Sequence, residues 1–184
     1  MTAQKETVPL EEAREQVSKV CRRLALLHLS FARVLTKELG ERRGKQLVLK
    51  AIKEYGQRIG RDARARAVTQ GLDDSPSNYK EDLPLYGMNE RSETVEVDGE
   101  KRIRVYGCVM GKVWKSLGED KLGRFYCYVD PAKYMGFNPE YKLIHIKSLP
   151  DGDYYCEFAL RRTTEHERKD FAEDKDWSYI DGDK

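Results

Sequence analysis

The stretch Thr94-Val95-Glu96-Val97-Asp98-Gly99-Glu100-Lys101-Arg102-Ile103-Arg104-Val105 decides the fold class. It alternates apolar and charged residues on either side of Asp98-Gly99-Glu100, the period-2 pattern of two half-buried strands joined by a tight turn. A three-residue loop sets Val95 opposite Ile103 and Glu96 opposite Arg102, whereas a two-residue loop opposes Val95 to Arg102. The longer loop is therefore expected. A second hairpin is read from Leu143-Ile144-His145-Ile146-Lys147 and Tyr154-Tyr155-Cys156-Glu157-Phe158-Ala159-Leu160, around Pro150-Asp151-Gly152. If Asp151-Gly152 is a two-residue turn, His145 opposes Phe158 and Lys147 opposes Cys156. His145 and Cys156 are then diagonal neighbours on one face.

Upstream of these strands the period changes to that of a helix. Residues 9 to 39 read as one long helix opened by Pro9, with Glu11 and Glu12 in its first turn and Gly40 as its stop. Its apolar stripe is read as Val17, Cys21, Leu24, His28, Phe31 and Leu35. A second helix, about 42 to 68, is expected to bury Val48, Ile52, Tyr55 and Ile59, and to expose Arg43, Lys50, Lys53, Arg58 and Arg61. Gly56 and Gly60 each cost roughly 1 kcal/mol against Ala inside a helix, so a close approach of another backbone is expected there, with core packing favoured over a ligand.

Short helices are expected at about 109 to 117 and 119 to 129, split by Gly118, and a turn at Gly136-Phe137-Asn138-Pro139. The organisation is thus a helical hairpin lobe at 1–71, a connector at 72–90, a sheet lobe at 91–163 and an acidic tail at 164–184, within one domain. The fold class is α+β: an antiparallel helical hairpin packed on an antiparallel sheet with short inserted helices. The tail, with eight acids against four bases, is expected to fray unless Trp177 and Tyr179 pin it.

The chain has 184 residues, 39% hydrophobic and 36% charged. That composition fits a globular domain, and no run approaches the roughly 20 apolar residues of a membrane helix. No basic-then-apolar leader is visible at the N-terminus, so a cytoplasmic protein is expected. The net charge of +2 hides an asymmetry: residues 1–71 carry 16 Lys/Arg against 8 Asp/Glu, and the remainder carries an excess of acid. A basic half is compatible with a nucleic-acid partner, but also with two lobes that complement each other, and the second reading is preferred. A homo-oligomer is compatible with these features.

The four cysteines, Cys21, Cys108, Cys127 and Cys156, include no C-x-x-C pair. Cys108 follows a strand and directly precedes a helix. Backbone N–H groups and the helix dipole lower a thiol's pKa there, as a nucleophile or metal ligand requires; the alternative is a small hydrophobe at a tight turn. Cys108, Cys127, His145 and Cys156 are the ligand types of a zinc site, so a divalent metal such as zinc is a candidate cofactor, although gaps of 19, 18 and 11 match no compact zinc signature. His28 reads as a core histidine and His166 as a solvated one. Asp153 is by default a turn-stabilising carboxylate, and Asn138 a cap or a ligand contact.

Tyr55-Gly56 and Gly60, then Cys108, Tyr126-Cys127-Tyr128-Val129-Asp130, Gly136-Phe137-Asn138-Pro139 and Gly152-Asp153-Tyr154-Tyr155-Cys156-Glu157-Phe158 together resemble the L-2-amino-thiazoline-4-carboxylic acid hydrolase family. The resemblance covers roughly residues 10 to 162. It is similar, more distantly, to a 4-vinyl reductase-type small-molecule-binding domain. It implies a hydrolase that opens a cyclic amidine ring to a carbamoyl-cysteine, and by family position it singles out Cys108, Cys127, Asp130, Asn138, Gly152, Asp153 and Cys156. The family pattern often has proline after the first of these cysteines; here Val109 stands instead.

Such a reaction needs attack on the ring carbon between N and S, protonation of the leaving heteroatom, and a cation for the carboxylate. The residues expected to serve are Cys108 as nucleophile, or with Cys127 and Cys156 as a metal ligand, His145 or Asp153 as proton shuttle, Arg58 or Arg61 for the carboxylate, and Asp130 and Asn138 in substrate binding. A non-catalytic module binding a small molecule or a metal is the alternative. A nucleic-acid-binding protein using the basic second helix ranks third, because it lacks interleaved exposed aromatics.

Overall fold

The computed structural model describes residues 7–80 and 83–176, so Trp177 and Tyr179 lie outside the described residues. Two long helices, α1 (Leu10–Leu39) and α2 (Glu41–Thr69), form the expected hairpin about Gly40. A four-stranded antiparallel sheet follows, in the order β1 (Arg91–Val97), β2 (Glu100–Tyr106), β4 (Cys156–Arg162), β3 (Tyr141–Lys147). Between β2 and β3 lie α3 (Val109–Ser116), α4 (Asp120–Gly123), a 3-10 turn at Arg124–Tyr128, and α5 (Val129–Phe137). A last helix, α6, spans Glu165–Ala172. Among the described residues no helix is long and apolar enough to cross a membrane.

The two long helices bury the expected faces in the main, with Cys21, His28 and Val48 in the core and Val17, Leu24, Leu35 and Ile52 packed against it, but they depart from expectation at Phe31, Tyr55 and Lys53. The buried stripe of α1 is Cys21, Ala25, His28, Leu29 and Ala32, while Phe31 is 63% exposed. On α2, Val48 and Leu49 enter the core with Gly56 and Gly60, Tyr55 stays 45% exposed, and Lys53 is buried, not outward. Small residues are buried because α2 packs on α5 at backbone range. A Cβ added at Gly56 would fall 2.7 Å from the Ala132 Cβ, and one at Gly136 would fall 2.7 Å from the Gln57 carbonyl oxygen. The glycines therefore serve helix packing, as expected, and the surrounding core is Ala32, Val48, Leu49, Phe125, Tyr128, Ala132, Met135 and Phe171.

The first hairpin has the shorter loop. Val95 pairs with Arg102 and Val97 with Glu100, leaving Asp98 and Gly99 as the turn, at φ of 53° and 78°. Two left-handed residues make the turn whose twist matches that of the strands, and this outweighs the side-chain pairing that favoured three residues. In the second hairpin His145 pairs with Phe158 as expected, but a bulge between His145 and Lys147 sets Lys147 against Glu157, not Cys156. The connection is a 3-10 turn at Leu149–Asp151 closed by Gly152 at φ 99°, so β4 starts at Cys156.

Two further corrections concern helices. Helical structure does not end before Asp130-Pro131: after α4 and the 3-10 turn the chain runs straight into α5, with Asp130-Pro131 in its first turn. The tail does not fray at Thr164: its hydroxyl accepts the Glu167 N–H at 3.2 Å and the Glu167 carboxylate accepts the Thr164 N–H at 2.7 Å, a capping box that starts α6. Phe171 then enters the core.

Candidate functional site

The site lies where one face of the sheet meets the starts of α3 and α5. On that face β2 presents Ile103 and Val105, paired with Phe158 and Cys156 of β4. The chain leaves β2 through Gly107, at φ 65°, and places Cys108 as the residue capping α3. Cys108 and Cys156 thus converge at one end of the sheet. Cys127 is in the 3-10 turn before α5, and Asp130 is in the first turn of α5, where a carboxylate complements the helix dipole.

Asp130 is gripped from two sides. Its Oδ2 lies 2.9 Å from His145 Nε2 on β3, and its Oδ1 lies 3.0 Å from Lys133 Nζ one turn along α5. Burial alone would raise the Asp130 carboxyl, but Lys133 and His145 more than offset it and hold the group well below the usual carboxylate range. An ionised carboxylate only accepts hydrogen bonds, so His145 Nε2 carries the donor hydrogen of this pair. The other ring nitrogen, Nδ1, is buried and has no hydrogen-bond partner. The ring is held edge-on against Phe158, centroids 4.6 Å apart.

The three late thiols sense one another and Asp130. Burial raises the Cys108 thiol; the N–H groups of Gly111 and Met110 at the start of α3 oppose it, Asp130 adds to it, and Lys112 opposes it. The expectation that a helix start lowers this thiol is therefore overturned: the amides act in the expected direction, but burial outweighs them. Cys156 is pushed up to about 11 by burial against the Leu149 N–H, which it accepts at 3.4 Å, with Cys108 and Asp130 adding and Arg124 opposing. Cys127 is raised further by burial, with Arg124 opposing and Asp130, Cys108 and Cys156 adding. All are free thiols. Among the described residues no three His, Cys, Asp or Glu side chains stand where they could hold a metal ion together.

Other expected residues lie elsewhere or have other duties. Asp153 accepts the Ser148 N–H at 2.8 Å and so stabilises the turn before β4. The Asn138 amide donates to the Asp74 carbonyl at 3.0 Å, and its oxygen accepts the Glu140 N–H at 2.9 Å, which ties the connector to the end of α5. Arg58 and Arg61 are exposed on α2, Arg61 paired with Glu54 at 2.9 Å. His28 is a core histidine whose Nε2 lies 2.9 Å from the Leu122 carbonyl oxygen, lowered by burial, and His166 is solvated. Sequence reasoning missed Lys133 and Arg124. The available signal for Lys133 was its position three residues after Asp130, on the same helix face. Arg124, half-buried and bonded through Nε to Asp151 at 2.9 Å, acts electrostatically on both Cys127 and Cys156.

No curated protein and no solved structure matches the chain. The model of one family, described as L-2-amino-thiazoline-4-carboxylic acid hydrolase, matches residues 19–160, a span that begins inside α1, ends inside β4 and contains every residue of the site. The chain belongs to the L-2-amino-thiazoline-4-carboxylic acid hydrolase family.

Proposed function

We propose that this protein hydrolyses a small cyclic amidine that bears a carboxylate, opening its ring at the site of Cys108, Asp130 and His145. The observation that carries the reading is the Asp130–His145 pair, with Nε2 tied to the carboxylate at 2.9 Å and Nδ1 buried without a partner. An oriented imidazole with one unpartnered ring nitrogen is the arrangement of a general base. A base is needed, because burial keeps the Cys108 thiol protonated at rest.

In the reading we favour, His145 removes the Cys108 proton as substrate binds, and the thiolate adds to the ring carbon between N and S. The carbon–sulfur ring bond breaks, and the imidazolium returns its proton to the leaving sulfur. Water then displaces Cys108 from that carbon, so the net reaction consumes one water and leaves a carbamoyl group and a free thiol. Asp130 holds the ring in one tautomer and offsets its positive charge. Arg124, acting on Cys127 and Cys156, supplies the cation for the substrate carboxylate in place of the exposed Arg58 and Arg61.

The test is release of free thiol from 2-amino-thiazoline-4-carboxylate by wild type, Cys108→Ala and His145→Gln. Turnover by wild type that falls at least ~100-fold in each variant supports the reading. Unchanged turnover in Cys108→Ala removes the nucleophile. A second reading, a non-catalytic small-molecule-binding module, is favoured by the raised pKa of all three late thiols. Saturable binding of the same compound with no thiol release would establish it.

A further inference from the structure

Helix α1 carries a second apolar stripe beside the buried one. Val17, Val20, Leu24, Leu27, Phe31 and Val34 follow one another at intervals of 3, 4, 3, 4 and 3 residues. That is the a/d seam of a coiled coil. Val17 and Leu24 lean on the core beneath, but Val20, Leu27, Phe31 and Val34 are 65%, 53%, 63% and 58% exposed. A row of large apolar side chains at heptad spacing on the open side of a helix marks an interaction surface.

We infer that this stripe pairs antiparallel with the same stripe of a second copy of the chain. The interval series reads the same in both directions, so a two-fold axis between Leu24 and Leu27 sets every member against another: Leu24 on Leu27, Val20 on Phe31 and Val17 on Val34 of the partner. Such self-complementarity is what an isologous interface requires. Charge selects this direction over the parallel one. The heptad continues to Glu38, and a parallel pair would place Glu38 against its own copy in the seam, whereas the antiparallel pair places it against Ala13. The antiparallel pair sets Lys37 across from Arg14 of the partner copy, in a stretch whose net charge is acidic through Glu11, Glu12 and Glu15, and it opposes the two helix dipoles.

The available area sets the strength. A helix of 30 residues is about 45 Å long, and a contact strip about 10 Å wide over that length covers roughly 450 Å² per copy. Twice that falls below the roughly 1,200 Å² of a standard stable interface, so the dimer is weak and forms at micromolar or higher concentration.

The test is sedimentation equilibrium of the full chain from about 1 to 500 µM, with carbodiimide cross-linking. Glu12 and Lys37 are 25 residues apart on one helix, about 37 Å, so a zero-length cross-link between them joins two copies. The expected results are a concentration-dependent dimer, a Glu12–Lys37 cross-link, and at least ~30-fold weaker association for Phe31→Glu, the loss of a central anchor. Phe31→Glu sits on an exposed position, so its circular dichroism and melting should match wild type. A wild-type monomer at 500 µM, which would mean that the face is uncovered or occupied by other residues of the chain, overturns the inference. So does a dimer indifferent to Phe31→Glu.

Discussion

Gly60→Ala separates two accounts of the α2–α5 contact by the sign of its effect. In an uncrowded helix interior, Ala is favoured over Gly by about 1 kcal/mol, so the substitution should stabilise the protein. Here the added Cβ would fall 2.6 Å from the Phe137 amide nitrogen and closer still to the Lys133 carbonyl oxygen. Both are backbone atoms of α5, which no rotamer change can move aside, so the helices must part. Overpacking of this kind costs about 1–3 kcal/mol, and a backbone clash on this scale belongs at the upper end. Subtracting the propensity gain leaves a net loss of about 2 kcal/mol, or a melting temperature lower by about 4–8 °C for a chain of this size. Gly111→Ala is the control: its nearest neighbour is the tip of the flexible Leu149 side chain at 2.5 Å, with the next atom at 3.6 Å, so it should stay within about 1 kcal/mol of wild type. Urea and thermal denaturation of the three proteins read the difference. A Gly60→Ala protein as stable as wild type, or more so, refutes the reasoning. Because α5 carries Asp130 and Lys133, parting the helices should also disturb the Asp130–His145 pair on which the proposed activity rests.

Lys133→Met leaves Asp130 with His145 alone, and the Asp130 carboxyl should rise toward the ordinary range, read by carboxyl NMR titration; an unmoved titration argues against the grip described. For wild type, a depressed folded pKa means that Asp130 stabilises the fold fully above its unfolded value of about 3.9, and that this contribution fades as pH falls further. Acid unfolding of Lys133→Met should therefore lose most of this pH dependence below about pH 4. Glu157, 2% exposed between Arg102 at 2.9 Å and Arg104 at 2.6 Å, should cost about 2 kcal/mol when changed to Gln, because half-buried Arg104 loses its paired carboxylate and Arg102 keeps only Glu100; urea denaturation that shows no loss refutes this. At pH 8 the Cys156 thiolate should be about 100-fold scarcer in the native chain than in the unfolded one, given a pKa of about 11 against 9.0. Labelling kinetics with a thiol reagent that give equal rates in both states would contradict that placement.

The helical hairpin was legible because a 3.6 period and a stop at Gly40 are local properties of the chain. The glycine pair was legible for the same reason: a helix interior does not carry Gly56 and Gly60 without a close neighbour. The inward side of α1 was legible at Cys21 and His28, but not at Phe31, since the helix has two adjoining apolar stripes and only packing against α2 and α3 sets Ala25, Leu29 and Ala32 inward and leaves Phe31 exposed. Thr164-x-x-Glu167 is a readable capping signal within an acidic tail, and Asp130-Pro131, acid and proline together, is a readable first turn of a new helix. The site was half legible. Its thiols, Asp130 and His145 stand out by residue type, but Lys133 and Arg124 are two among 34 basic residues until the fold brings them to the carboxylate and the thiols.

The charge asymmetry between the two halves has a structural destination. Arg33 of α1 pairs with Glu119 before α4, Lys50 of α2 meets Asp174 at 2.9 Å, and Arg64 meets Asp74 of the connector at 2.7 Å. Lys53 goes further, buried with its ammonium on Asp174 at 2.7 Å, Asp176 at 3.5 Å and the Phe171 carbonyl. The exposed pairs among these are worth little individually. The buried one is different, because Lys53 without its carboxylates would be an uncompensated charge in the interior. The acidic end of the chain is thus what makes Lys53 tolerable on the face of α2 that holds α5, and α5 carries the carboxylate of the site.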